Sequence, residues 1–262
     1  VNNPYQKIQR SFRGNIISII SVMVFFIIWE IVSAGGYVNP LFIGRPTKIL
    51  NELPILFNDK PFVEGLLGSV IVLLLGYVIS IVLGITIGFV AGLNKRIYYI
   101  FRPFIFAIQT IPFIAYLPLI IIWFGVGLTA KLTVIVLMAI IPIIINTIEG
   151  VRSVDEDLTI MAKSFSASRL FIMKKVEFRQ TLPYIISGSR IAFGKAFIAV
   201  IVAEFYGFGK GLGYYISFYG LTLKPNKLMA IMLIILFINV AIFGIIRFIE
   251  SKYLFYMKGL NE

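Results

Sequence analysis

Residues 149–183 read EGVRSVDEDLTIMAKSFSASRLFIMKKVEFRQTLP, the one long polar interruption in an otherwise apolar chain. The segment holds 11 of the 36 charged residues, 24 basic and 12 acidic in all. It is patterned as helix, with apolar residues returning at helical spacing. On either side lie apolar runs of roughly 18 residues or more, long enough to cross a hydrocarbon core about 30 Å thick at 1.5 Å per residue. A polar segment between such runs has to work in water.

Composition bounds the fold class. Of 262 residues, 59% are apolar and 14% charged, with mean hydropathy +0.96; soluble globular domains carry about 25% charged residues. The alternating pattern of a β-barrel is absent, and backbone groups in lipid must be satisfied within the segment, so the spans are helices. The expected fold is an all-α polytopic membrane protein with six transmembrane helices. A net charge of +12 is scattered through short loops, which fits positive-inside bias and excludes a nucleic-acid face. With no cysteine and no histidine, disulfides, zinc sites built on those ligands and imidazole catalysis are excluded.

Taken in order, the spans are expected at residues 16–34, 66–93, 101–124, 131–148, 184–207 and 228–249. A basic start at Lys7, Arg10 and Arg13 places the amino end in the cytoplasm. Proposed inside segments hold 15 lysines and arginines against seven outside, with Lys131 counted outside. Both termini are therefore expected inside. Residues 47–57 form a short surface helix in the first outer loop, and residues 207–220, GFGKGLGYYISFYG, are too short to span. Gly84, Gly88 and Gly92 share one face of span two, where another backbone can approach closely. Span three carries Pro103 at its start and Pro112 and Pro118 inside, a pattern tolerated in a membrane where a cavity or neighbours satisfy the freed carbonyls. Glu30 lies near the outer end of span one, where a carboxylate reaches the interface.

Residues expected along a pathway are Gln109, Tyr116, Asn146 and Glu204, with Phe205 and Tyr206 at its outer end. Glu204 stands out because an intramembrane carboxylate needs a partner or water; the structural alternative pairs it with Lys195 or Lys210.

Within the polar segment, Ser153 and Glu156 have the spacing of a capping box, and Asp155, Glu156 and Asp157 suit the positive end of a helix. Val154, Leu158, Met161 and Phe165 follow as one apolar stripe. A second, basic amphipathic helix is expected over residues 169–181. Such helices can lie on lipid or pack beneath their own bundle, but an acidic first turn argues against an anionic surface and leaves a partner groove.

The run VRSVDEDLTIMAKSFSASRLFIMKKVEFRQTLPYIISGSRIAFGKAF resembles the EAA loop of the permease subunits of ABC importers. Further likeness lies in PLFIGRPTKIL, QTIPFIAYLPLIIIWFGVG, INTIEGVRSVDEDL and VAEFYGFGKGLGYYI, narrowing it to the nitrate, sulfonate and taurine branch, which also handles pyrimidine-type vitamin precursors and riboflavin. The resemblance implies a cytoplasmic coupling helix between spans four and five, with Asp155, Leu158, Ile160, Met161, Ala162, Phe165, Ser166, Ala167 and Arg169 contacting a cytoplasmic ATPase. It divides the chain into residues 1–65, the amino-terminal tail, first transmembrane helix and outer loop, and residues 66–262, a permease core with coupling loop 149–183. It also implies two ATP-binding subunits, a second permease copy as a homodimer, an extracellular or periplasmic substrate-binding protein, and the cytoplasmic (inner) membrane of a prokaryote. No cofactor or metal is expected on this chain and no residue is expected to be catalytic; ATP and Mg belong to the partner, since no Gly-x-x-x-x-Gly-Lys-Ser/Thr loop occurs. The substrate implied is a small organic or inorganic anion or a vitamin precursor. The family's Glu-Ala-Ala falls on Ile160, Met161 and Ala162, and its glycine on Ser166, so the grip on the ATPase is expected to be more apolar than the family pattern. Two other classes remain on the residues alone: a secondary transporter or channel working without an ATPase, and a membrane enzyme, for which no nucleophile–base arrangement is recognisable.

Overall fold

In the computed structural model, which describes residues 4–207 and 210–258, the chain is built from helices. In order these are α1 (Pro4–Ala34), α2 (Pro46–Asn58), α3 (Lys60–Leu93), α4 (Lys95–Thr110), a 3-10 turn (Phe113–Tyr116), α5 (Leu117–Phe124), α6 (Leu128–Arg152), α7 (Glu156–Ser164), α8 (Arg169–Ile172), a π-helical turn (Met173–Glu177), α9 (Phe178–Phe205), α10 (Leu212–Leu221) and α11 (Pro225–Lys258).

Among the described residues, four stretches are long and apolar enough to cross a membrane: Lys60–Leu93, Leu128–Arg152, Arg169–Phe205 and Pro225–Phe248. A fifth crossing arises if α4 and the segment Phe113–Phe124 count as one span, although they meet at 103°. The amino-terminal helix has a shorter apolar stretch, Ile19–Ala34.

The chain divides into two compact units. The first comprises residues 1–63 and 215–234. Here the Glu30 carboxylate pairs with the Arg45 guanidinium and accepts hydrogen bonds from the Thr47 amide (3.0 Å) and hydroxyl (2.9 Å). The carboxylate thus ties the end of α1 to the start of α2. The Asn226 side chain accepts from the Arg45 amide at 3.0 Å, joining α11 to the same loop.

The second unit comprises residues 64–214 and 235–262 and holds the main apolar core, where α3, α6 and α9 meet. The glycine face of α3 is the reason they fit. A Cβ built on Gly76, Gly84, Gly88 or Gly92 would lie within 2.9 Å of a side-chain atom of Ile135, Ile143, Thr147 or Val151, respectively. The pairs advance together along both helices, so α3 and α6 run parallel in one register. Between α6 and α9 the register is antiparallel: Gly150 faces Tyr184 and Gly188 faces Asn146. Small residues replace a hydrophobic driving force that lipid does not supply between helices.

Several local expectations change. Pro103 lies inside α4, which already starts at Lys95 and is capped by Asn94. Pro118 sits in the first turn of α5, where its missing N–H costs nothing, and is not an interior kink. The break belongs to Pro112 alone. Span four starts at Leu128, which brings Lys131 into the helix and not into an outer loop.

Candidate functional site

The break between α4 and α5 opens a cavity of about 450 Å³ in the second unit. Thr110, Ile111, Pro112 and Phe113 line it, together with Leu137, Met138, Pro142 and Ile145 of α6 and Ile191 and Lys195 of α9. Non-helical backbone at membrane depth is tolerated where it borders such a space. Three expected pathway residues converge here: Gln109, Tyr116 and Asn146. The Asn146 amide donates to the Pro142 carbonyl at 2.8 Å. Gln109 also lines a second cavity, of about 540 Å³, with Arg102, Glu149 and Arg152; the Arg152 guanidinium there sits 3.6 Å above the Tyr98 ring.

Glu204, Phe205 and Tyr206 are not among the residues lining either cavity. Phe205 and Tyr206 are half exposed at the end of α9. Glu204 is fully buried, and its partner is neither Lys195 nor Lys210 but Lys131, whose Nζ lies 2.9 Å from Oε1. The Ser69 hydroxyl is 2.8 Å from both carboxylate oxygens, and the Gly213 amide donates to Oε2 at 3.1 Å. The Leu212 amide completes the cluster by donating to Ser69 Oγ at 3.0 Å. Four helices, α3, α6, α9 and α10, thus meet on one carboxylate. Gly211 and Gly213 let α10 come this close: a Cβ at either would sit 2.2 Å from a Glu204 oxygen or from the Ile201 carbonyl. The signal for this pair was present in the antiparallel order of spans four and five, which places the start of one beside the end of the other; a partner sought along one helix missed it.

Lys195 was not expected to line a cavity. Among the described residues it is the only charged one around the first cavity.

The second feature is α7. Its cap is Asp155, whose side chain accepts from the Asp157 amide at 2.9 Å, while the Ser153 hydroxyl donates back to the Gly150 carbonyl. The capping box at Ser153 and Glu156 is therefore not formed. Leu158, Ile160, Met161 and Phe165 are all exposed, Phe165 to 81%, and no residue of α7 is buried; Ala162 and Ala167 are half-buried. The helix ends in a Schellman turn: Ala167 donates to the Ala162 carbonyl (3.1 Å), Ser166 to that of Lys163 (2.8 Å), and Ser166 takes φ +54°. A serine here accepts the left-handed conformation that a glycine adopts freely. The Asp155 amide donates to the Gln180 side chain at 3.0 Å, and Arg169 pairs with Glu177.

The separate basic helix expected over residues 169–181 is instead the leading end of one continuous helical path, Arg169–Phe205, carried through the π-helical turn and past Pro183. Among the described residues no group of three or more acidic side chains is placed to hold a metal ion.

Residues 80–254 match the family described as binding-protein-dependent transport system inner membrane component. The chain is 30% identical over 238 residues to the taurine transport system permease protein TauC of Escherichia coli (strain K12), covering 89% of this chain and 84% of that protein. It is 28% identical over 220 residues to the bicarbonate transport system permease protein CmpB of Synechococcus elongatus (strain ATCC 33912 / PCC 7942 / FACHB-805), covering 80% and 79%. Its fold is similar to that of a chain in the crystal structure of an amino acid ABC transporter with histidines, at TM-score 0.60 and 18% identity over 77% of this chain and 96% of that one.

Proposed function

The chain belongs to the family of binding-protein-dependent transport system inner membrane components, and from that membership we propose that α7 is its docking helix for a cytoplasmic ATPase and that the cavity at the α4–α5 break is part of its translocation route. It is the permease subunit of an ABC importer, a multi-pass membrane protein and not an enzyme, with ATP hydrolysed by a separate subunit. The finer assembly is part of the proposal. Residues 16–34 and the bent α4–α5 pair complete six spans, both termini lie in the cytoplasm, and two permease copies as a homodimer sit on two ATP-binding subunits. A substrate-binding protein delivers a small anion or vitamin precursor to the outer face, and residues 66–262 carry the core function.

The observation that carries the docking reading is the apolar face of α7. Leu158, Met161 and Phe165 stand exposed along one side of a helix capped at both ends, and Ile160, also exposed, lies about 130° around the helix from them. An apolar anchor on a short capped helix is how a helix enters a partner's groove. Nucleotide-driven closure of the ATPase pair would push α7, and the push would reach α9 through Gln180 and the Arg169–Glu177 pair. Alternating access then follows from movement of the helices around the cavity.

Co-purification with the ATP-binding subunit tests this. Leu158→Asp with Phe165→Asp places two charges against an apolar groove, and at about 2–3 kcal/mol of lost burial each the complex weakens by about a thousandfold or more. Unchanged association would remove α7 from the interface. Transport by the purified chain alone in vesicles would instead favour a channel or secondary transporter.

A further inference from the structure

We propose that Lys195 selects the charge of what enters the α4–α5 cavity, admitting a small anion by its head group. The inference rests on reading that cavity as part of the route, and it assigns a role to a residue that the family match leaves unassigned. Lys195 lies on α9 ten residues before its end at Phe205, or about 15 Å along the helix. A stem of four methylenes cannot carry the ammonium that far to the interface. Lysine at the centre of a span costs about 2.5–3.5 kcal/mol on insertion scales, so such a residue is paired or faces water.

No described residue gives Lys195 a hydrogen bond or an ion pair, and its side chain is exposed. The groups around it are neutral: the Gln109 amide, which makes no hydrogen bond among the described residues, the Tyr116 hydroxyl, the Thr110 hydroxyl, which donates to the Phe106 carbonyl at 2.8 Å, and Asn146, whose NH2 donates to the Pro142 carbonyl. The remaining lining is Ile, Leu, Met, Phe and Pro. One unopposed ammonium, the uncommitted donors of Gln109 and Tyr116 and an apolar wall fit a compact, singly charged anion with little or no tail. A cation meets the field of Lys195 with no carboxylate in the lining to offset it, and a dianion leaves one charge without a partner.

Because the chain has no cysteine, a single introduced thiol reports the local potential without knowledge of the substrate. Ile191 lines the same cavity one turn before Lys195, at about 6 Å between Cβ atoms. In the purified importer complex in lipid nanodiscs, Ile191→Cys is modified with anionic sulfonatoethyl methanethiosulfonate and with cationic aminoethyl methanethiosulfonate, and the adduct on this chain is followed by mass. Lys195 lowers the thiol's pKa equally for both reagents, so the ratio of the two rates isolates the field on the reagent. Adding Lys195→Gln should lower the anionic-to-cationic ratio about tenfold, since even at the dielectric of water attraction of one reagent and repulsion of the other add at this distance. Adding Lys195→Arg should keep the ratio. Gln109→Cys is the second reporter, across the cavity, with a smaller change in the same direction. A ratio unmoved by Lys195→Gln at both positions overturns the role of Lys195 while leaving the cavity open. Absence of modification by either reagent at both positions overturns the water-filled cavity, and the selection role with it.

Discussion

Lys131 and Lys195 are both ammonium groups on long apolar helices, α6 and α9, yet their surroundings are opposites. Lys131 is 9% exposed at its side chain and lies 2.9 Å from a carboxylate that is itself fully buried. Around that pair, Ser69 and the Gly213 amide satisfy what the lysine leaves open. Lys195 has no partner in the described chain and borders a cavity of about 450 Å³. A charge inside a membrane protein needs either a counter-charge or water. The first solution makes a clasp, and the second leaves a charge free to act on something that arrives.

Three measurements sharpen or break this contrast. The largest effect is expected from Lys131→Ala, which strands Glu204 in a dry site; truncating one member of a buried pair costs about 3–5 kcal/mol, read as a lowered unfolding midpoint in detergent. Combining Lys131→Met with Glu204→Gln should restore most of the loss, because no charge is left uncompensated. If the single variant were as stable as the parent, the clasp would be incidental.

Next is Gly211→Ala. Its new Cβ would lie 2.2 Å from Glu204 Oε1, and the opening needed to relieve that should cost about 1–3 kcal/mol. Thermal unfolding beside Gly244→Ala, where nothing lies within 4 Å, separates the clash from a general glycine effect. The smallest shift is expected from Lys195→Met, within about 0.5 kcal/mol of the parent in the same assay because no pair is broken. A loss as large as that of Lys131→Ala would show Lys195 to be structural.

Much of the architecture was legible in the residues. The apolar runs, the short helix after Pro46, the glycine face of α3 and the exposed stripe of α7 all follow from spacing and composition, and each is local. The cavity residues Gln109, Tyr116 and Asn146 were also within reach, because prolines mark where a span must break. Contacts between helices were not. Glu204 and Lys131 are far apart in sequence and meet only through the antiparallel register of α6 and α9, and Lys195 gained its meaning from a cavity that depends on where α4 bends. The cap at α7 moved from Ser153 to Asp155 because the Ser153 hydroxyl returns to Gly150 at the end of α6, a choice two neighbouring polar residues leave open. The helix expected to stop before Pro183 runs on, since the chain accepts a π-helical turn upstream.

The glycine face of α3 has a mechanical consequence. With Ile143 and Thr147 seated where side chains are missing at Gly84 and Gly88, sliding α3 along α6 by one residue would drive a branched side chain into a bulkier neighbour. The contact therefore behaves as a ratchet tooth, locking those helices against translation. Gly150 and Gly188 lock α9 to α6 in the same way. These three helices are a plate that can rock but not shear. A transport cycle that moves helices around the cavity would find its freedom outside that plate, at Pro112, where no helix spans the gap between Thr110 and Phe113.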